Sequence, residues 1–155
     1  MQAATETPDL IAERLAEYGA ATRAALDTWL PQNRAPFLDA LMADYPRRGG
    51  KMMRPCLCIA HARAFGGTLA DALPCAAAVE ILHNGLLIHD DIQDESELRR
   101  GEPTLHRLHG IPLAINAGDA LMLAALAPLF ESLRGLGISA GEKILAATQT
   151  MARET

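Results

Sequence analysis

The sequence predicts an all-α domain, a bundle of long antiparallel helices. Half of its 155 residues are hydrophobic and only 4% are aromatic. Alanine, leucine and methionine dominate the apolar set, and these residues favour helices. Apolar positions recur at spacings of three and four, and no segment alternates apolar with polar residues as a half-buried strand would. The length suits one domain, assigned to residues 1–155.

The elements follow in order. Thr7 before Pro8 reads as an N-cap with proline at the first helical position. Ile11, Leu15, Tyr18, Thr22, Leu26 and Trp29 then mark one helix face, and Pro31 ends it. A short helix is expected over Phe37 to Tyr45, with Leu38, Leu41 and Met42 inward. A basic loop runs from Pro46 to Pro55, followed by a helix to Phe65 that Gly66 and Gly67 stop. The next helix is placed from Ala70 to about Asp94, with Pro74 tolerated in its first turn. A polar loop follows, with a short helical piece near Leu105. Pro112 to Arg134 reads as one long helix kinked at Pro128 and broken by Gly135 and Gly137. Ser139 and Glu142 form a capping box for a last helix, and no stop signal follows it.

The net charge of −5 argues against a general nucleic-acid binder, which would usually be basic. Cys56, Cys58 and Cys75 form no CxxC pair and are odd in number, as expected of reduced core thiols in a cytoplasmic protein. The N-terminal MQAATETPDL lacks a basic region followed by an apolar one. No membrane span is expected, because the longest candidate, Ile111 to Phe130, is interrupted by Asn116 and Asp119.

Three segments carry chemistry. The first is His89-Asp90-Asp91-Ile92-Gln93-Asp94. Asp90 and Asp94 lie one helical turn apart with Asp91 beside them, so three carboxylates are expected on one patch. Crowded carboxylates repel unless a cation neutralises them, and magnesium takes oxygen ligands together with substrate phosphates. The bland alternative is a solvated acidic helix end. Against it, carboxylates at a helix C-terminus oppose the macrodipole at roughly 0.3–1 kcal/mol each. The second segment, Arg99-Arg100-Gly101, offers two guanidiniums to phosphate oxygens. The third is Arg47-Arg48-Gly49-Gly50-Lys51-Met52-Met53-Arg54-Pro55, a glycine-bearing basic loop before a helix N-terminus. It is not a Walker loop, since GxxxxGK[ST] is absent. His83 lies two turns before Asp90, about 10 Å along the helix, and becomes a diphosphate donor candidate only beside these groups. His61, His106 and His109 read as structural.

In order, Gly49 to Pro55 (GGKxxRP), Glu80 to His83 (ExxH), Leu87 to Asp94 (LxxDDxxD), Arg99 to Thr104 (RRGxPT) and Ile115 to Leu121 (INAGDAL) resemble the signature of trans-isoprenyl diphosphate synthases. The resemblance implies the isoprenoid synthase bundle of helices around a deep apolar cavity. It implies that Asp90, Asp91 and Asp94 bind magnesium and, through it, an allylic diphosphate. Arg99 would contact that diphosphate, while Lys51, Arg54, His83 and Arg100 would bind isopentenyl diphosphate. The implied reaction is magnesium-dependent ionisation, condensation and proton elimination, in a homodimer or with a partner chain. A product of geranylgeranyl length or longer is expected, because Gly85 and Leu86 would leave the cavity floor open.

Some features depart from the family pattern. No second DDxxD is present, members of the family are much longer, and Glu95 stands where the family usually has a small residue. The chain is therefore expected to be the N-terminal half of the catalytic domain and inactive alone. It would be a truncated synthase, half of a split enzyme, or a non-catalytic subunit. A class I terpene cyclase would leave the cations at Lys51, Arg54, Arg99 and Arg100 unused. An HD-type phosphohydrolase would leave DDxxD with RRG unexplained.

Overall fold

The computed structural model describes residues 6–30 and 35–136, with 141–143, 145–146, 149 and 153. The order is α1 (Glu6–Trp29), α2 (Pro36–Arg47), α3 (Met53–Ala64), α4 (Leu69–Gln93), β1 (Leu98–Arg99), β2 (Glu102–Pro103), α5 (Leu105–His109), α6 (Ile111–Ala124) and α7 (Leu126–Leu136). The all-α expectation holds, apart from the two-residue strands of one small hairpin. Pro31, Gly137 and Ser139, which the sequence reading used as stop or cap signals, lie outside the described residues.

Helix α4 is central and packs against α1, α3, α6 and α7. Its start is fixed by a capping box. The Thr68 hydroxyl accepts from the Asp71 amide at 3.2 Å, and an Asp71 carboxylate oxygen accepts from the Thr68 amide at 2.9 Å. Its inward face buries Ala76, Ala77, Ile81 and Ile88, joined by Ile59, Leu105 and Leu121 from other elements. Each fully buried isoleucine or leucine stabilises the fold by about 1.5–3 kcal/mol. On α1 the expected face turns inward through Tyr18, Thr22 and Leu26, while Ile11 in its first turns stays exposed.

One helix boundary needs correction. The long helix from Pro112 divides into α6 and α7 at Ala125 rather than kinking at Pro128. Pro128 has no amide hydrogen to give the Ala124 carbonyl, and its ring crowds that carbonyl, so the break falls one turn upstream. Also, 69–93 and 111–135 are both long and apolar enough to cross a membrane by length and composition, with mean hydropathies of 1.3 and 1.7. Half of the α4 stretch is buried within the protein, where it carries Glu80, Asn84 and Asp91, as a core helix does.

Gly85 on α4 lies against α6. A Cβ there would stand 3.0 Å from the Gly118 carbonyl oxygen and 3.2 Å from Leu121 Cβ. Gly85 therefore makes a close helix crossing and is not an open part of a cavity floor.

Candidate functional site

At its C-terminal end α4 presents Leu82, Leu86, Asp90 and Asp94, each four residues after the last, and all are exposed. Steps of four on a helix keep nearly to one face, so two leucines lead to two carboxylates over about 18 Å. Asp94 closes the helix, its amide donating to the Asp90 carbonyl at 2.8 Å.

Asp91 departs from the expected patch. One residue on from Asp90 it points about 100° away, and it is fully buried. Tyr45 donates its phenolic hydrogen to Asp91 Oδ2 at 2.5 Å. Arg99 grips the same carboxylate side-on, through Nε at 3.0 Å and through Nη2. That pairing holds the Arg99 guanidinium above its ordinary pKa. The three carboxylates thus divide into an exposed pair and a buried anchor. Among the described residues, no group of three or more His, Cys, Asp or Glu is arranged to hold a metal ion. The exposed pair still fits magnesium, which characteristically takes one or two carboxylates and fills its shell with water and substrate phosphate.

The arginine pair owes its geometry to the hairpin. Leu98 pairs with Pro103 and Arg99 with Glu102, leaving Arg100 and Gly101 as a two-residue turn. Their φ angles are +56° and +84°. A turn with both central residues left-handed is the type I′ form that suits a twisted hairpin, and glycine takes such a conformation at no steric cost. Arg48 clamps the hairpin from below, its Nη1 donating to the carbonyls of Arg99 at 3.2 Å and Glu102 at 3.3 Å. Glu95, also at positive φ (+53°), occupies a turn where a small residue would be less strained.

Of the groups expected together, Arg54 and His83 are in contact. Arg54 Nη1 donates to His83 Nε2 at 3.0 Å, so that histidine serves as an acceptor in its neutral form. Burial lowers the His83 pKa first, and Arg54, Arg100 and Arg99 lower it further. Arg100 Nη1 donates to the Tyr45 carbonyl at 3.0 Å. Its Nη2 lies where only a glycine fits, since a Cβ at Gly50 would be 2.8 Å away. Lys51 stands next to Gly50, exposed. Behind these cations Glu80 is buried, with Asn84 Nδ2 donating to its Oε1 at 3.1 Å. Burial raises the Glu80 pKa, while Asn84, Arg100 and Arg54 act the other way.

Motif reading named Arg48 only as part of the basic loop, with no role of its own, and it missed Tyr45. The sole hint was the scarcity of aromatic residues, only two of them tyrosines. It also gave no role to His89, whose Nε2 approaches Asp119 Oδ1 to 3.3 Å across the α4–α6 contact.

A helical bundle with paired carboxylates and a cationic cluster around the end of its central helix is the architecture of the isoprenoid synthases. Within that class the chain belongs to the polyprenyl synthetase family, which it matches over residues 35–155. It is 40% identical over 132 residues to a chloroplastic geranylgeranyl pyrophosphate synthase of Arabidopsis thaliana, an alignment covering 84% of this chain and 36% of that protein. It is 50% identical over 88 residues to the geranylgeranyl diphosphate synthase of Saccharolobus solfataricus, covering 57% of this chain and 26% of that one. Among solved structures it resembles the geranylgeranyl pyrophosphate synthetase of the archaeon Geoglobus acetivorans, with a TM-score of 0.76 at 35% identity, over 90% of this chain and 44% of that one. A decaprenyl diphosphate synthase from Rhodobacter capsulatus gives a TM-score of 0.73 at 33% identity, over 94% and 44%. The chain spans about a third of the length of the curated relatives it matches most extensively.

Proposed function

We propose that this chain forms one wall of a prenyltransferase site that condenses isopentenyl diphosphate with an allylic diphosphate, and its geranylgeranyl diphosphate synthase relatives, rather than Gly85, favour a product of that length or longer. The observation that carries the reading is the exposed strip on α4. Its carboxylates Asp90 and Asp94 suit a magnesium-bound diphosphate, and Leu86 and Leu82 continue beneath them as an apolar track for the hydrocarbon. When bound there, magnesium supplies charge neutralisation for the departing diphosphate. Arg99, held side-on by Asp91, keeps Nη1 free for the allylic diphosphate. Lys51, Arg54, His83 and Arg100 form the second anion site, for isopentenyl diphosphate. His83 would turn Nδ1–H to the substrate, because its Nε2 accepts from Arg54. Once covered by the second wall, the leucine track would exclude water from the reacting carbons.

The sequence holds one DDxxD motif, so a second acidic wall must come from elsewhere. Condensation is therefore expected only when this chain is joined to, or paired with, a chain that carries the second motif.

Calorimetry with an allylic diphosphate tests the reading. Binding should require magnesium and be lost in Asp90→Ala. Magnesium-independent binding that Asp90→Ala leaves unchanged would sink it.

A further inference from the structure

We infer that Tyr45 is a positioning residue for the diphosphate site: its hydroxyl holds Asp91 in the interior, and Asp91 in turn sets the direction in which Arg99 presents its free edge. The inference rests on the proposed role of Arg99 in binding a diphosphate.

Tyr45 lies on the last turns of α2 and is 1% exposed. Its hydroxyl nonetheless joins three segments. It donates to Asp91 Oδ2 on α4 at 2.5 Å and accepts from the Leu105 amide at the start of α5 at 3.4 Å. Asp91 then takes Nε and Nη2 of Arg99 on β1. A carboxylate gripped from one side only could rotate about its terminal torsion, which is broad. With Tyr45 on Oδ2 and Arg99 side-on, that rotation is blocked, and Nη1 of Arg99 is the edge left over. The ring has a separate task, lying 4.7 Å from the Arg48 guanidinium. Removing only the hydroxyl thus leaves the ring, the Arg48 contact and the backbone carbonyl that accepts from Arg100. A buried hydrogen bond to a charged group contributes enough that its loss should weaken anion binding on the order of tenfold.

The experiment uses the whole chain, with magnesium and inorganic pyrophosphate as the probe. Tyr45→Phe should weaken pyrophosphate binding about tenfold, but by less than twofold in an Arg99→Ala background. A purely structural role would give the same loss in both backgrounds, and that result overturns the inference. A second measurement does not depend on ligand binding. The Nε–H proton of Arg99, followed by nitrogen-15 NMR, should be protected from exchange in the wild type and lose protection in Tyr45→Phe. Unchanged protection overturns the positioning role. If the wild type fails to bind pyrophosphate at all, the diphosphate reading fails, and the NMR result alone decides whether Tyr45 orients Arg99.

Discussion

Arg54 Nη1 lies 3.0 Å from Nε2 of His83, a cation donating to a neutral ring. Burial, Arg54, Arg100 and Arg99 all depress the pKa of that ring, with Asp90 acting weakly the other way. The unfolded chain therefore takes up this proton at higher pH than the folded one. Stability from this group is complete above the ordinary histidine value near 6.5 and is lost as pH falls below it. Melting temperatures measured from pH 8 to pH 5 should fall on the acid side, and His83→Gln should flatten part of that fall. An identical acid-side slope in His83→Gln would show that His83 titrates normally.

Gly85 cannot hold a side chain without moving α6. Its Cβ would meet the Gly118 carbonyl, a backbone atom, at 3.0 Å. Gly85→Ala should destabilise by about 1–3 kcal/mol through overpacking, despite alanine's better helix propensity. Gly85→Tyr should fail to fold. Chemical denaturation of Gly85→Ala at or above wild-type stability would count against the close crossing.

The three aspartates should separate by phenotype. Asp90→Asn and Asp94→Asn, at exposed positions, should leave stability within about 0.5 kcal/mol and lose magnesium-dependent pyrophosphate binding. Asp91→Ala removes a buried partner from Arg99 and Tyr45 and should cost about 3 kcal/mol. If all three behave alike in thermal unfolding, Asp91 is not the buried anchor described.

Gly101 closes the type I′ turn at φ +84°. Gly101→Ala should destabilise by about 1 kcal/mol, and the chemical shifts of Arg99 and Arg100 should move together. Unchanged shifts would mean that the turn does not hold the pair.

Away from the leucine track, Leu123, Leu126 and Phe130 are 70%, 41% and 52% exposed. Contiguous apolar surface beyond a few hundred Å² usually marks an interface. Sedimentation at micromolar concentration should find a dimer or larger assembly, and a clean monomer would contradict this.

Much of this was legible in the sequence because it is local. The face of α1 through Tyr18, Thr22 and Leu26 and the approximate ends of α4 follow from periodicity and nearby residues. The contact of Arg54 with His83 was legible only through the resemblance, because no local rule brings together residues 29 positions apart along the chain. Asp91 was misjudged for a related reason. Spacing placed it beside Asp90, but its environment comes from Tyr45, 46 residues earlier, and Arg99, eight later. Gly85 was misjudged because an absent side chain reads equally as open space or as close approach, and α6 decides which. The Ala125 break could have been read from Pro128, by asking which carbonyl loses its donor.

The crossing at Gly85 and Gly118 has a mechanical consequence. A Cβ at Gly85 would meet the Gly118 carbonyl oxygen at 3.0 Å, while one at Gly118 would strike the His89 ring before it reached the Gly85 carbonyl at 3.3 Å, so the two backbones meet beside an imidazole. This fulcrum sits little more than one turn before Asp90 on α4. The side chains that pack into this pivot are His89, Leu121 and Met122, and His89 directly precedes the first exposed carboxylate. The angle between α4 and α6 therefore depends on how the ring of His89, one residue before the wall's first carboxylate, sits over Gly118.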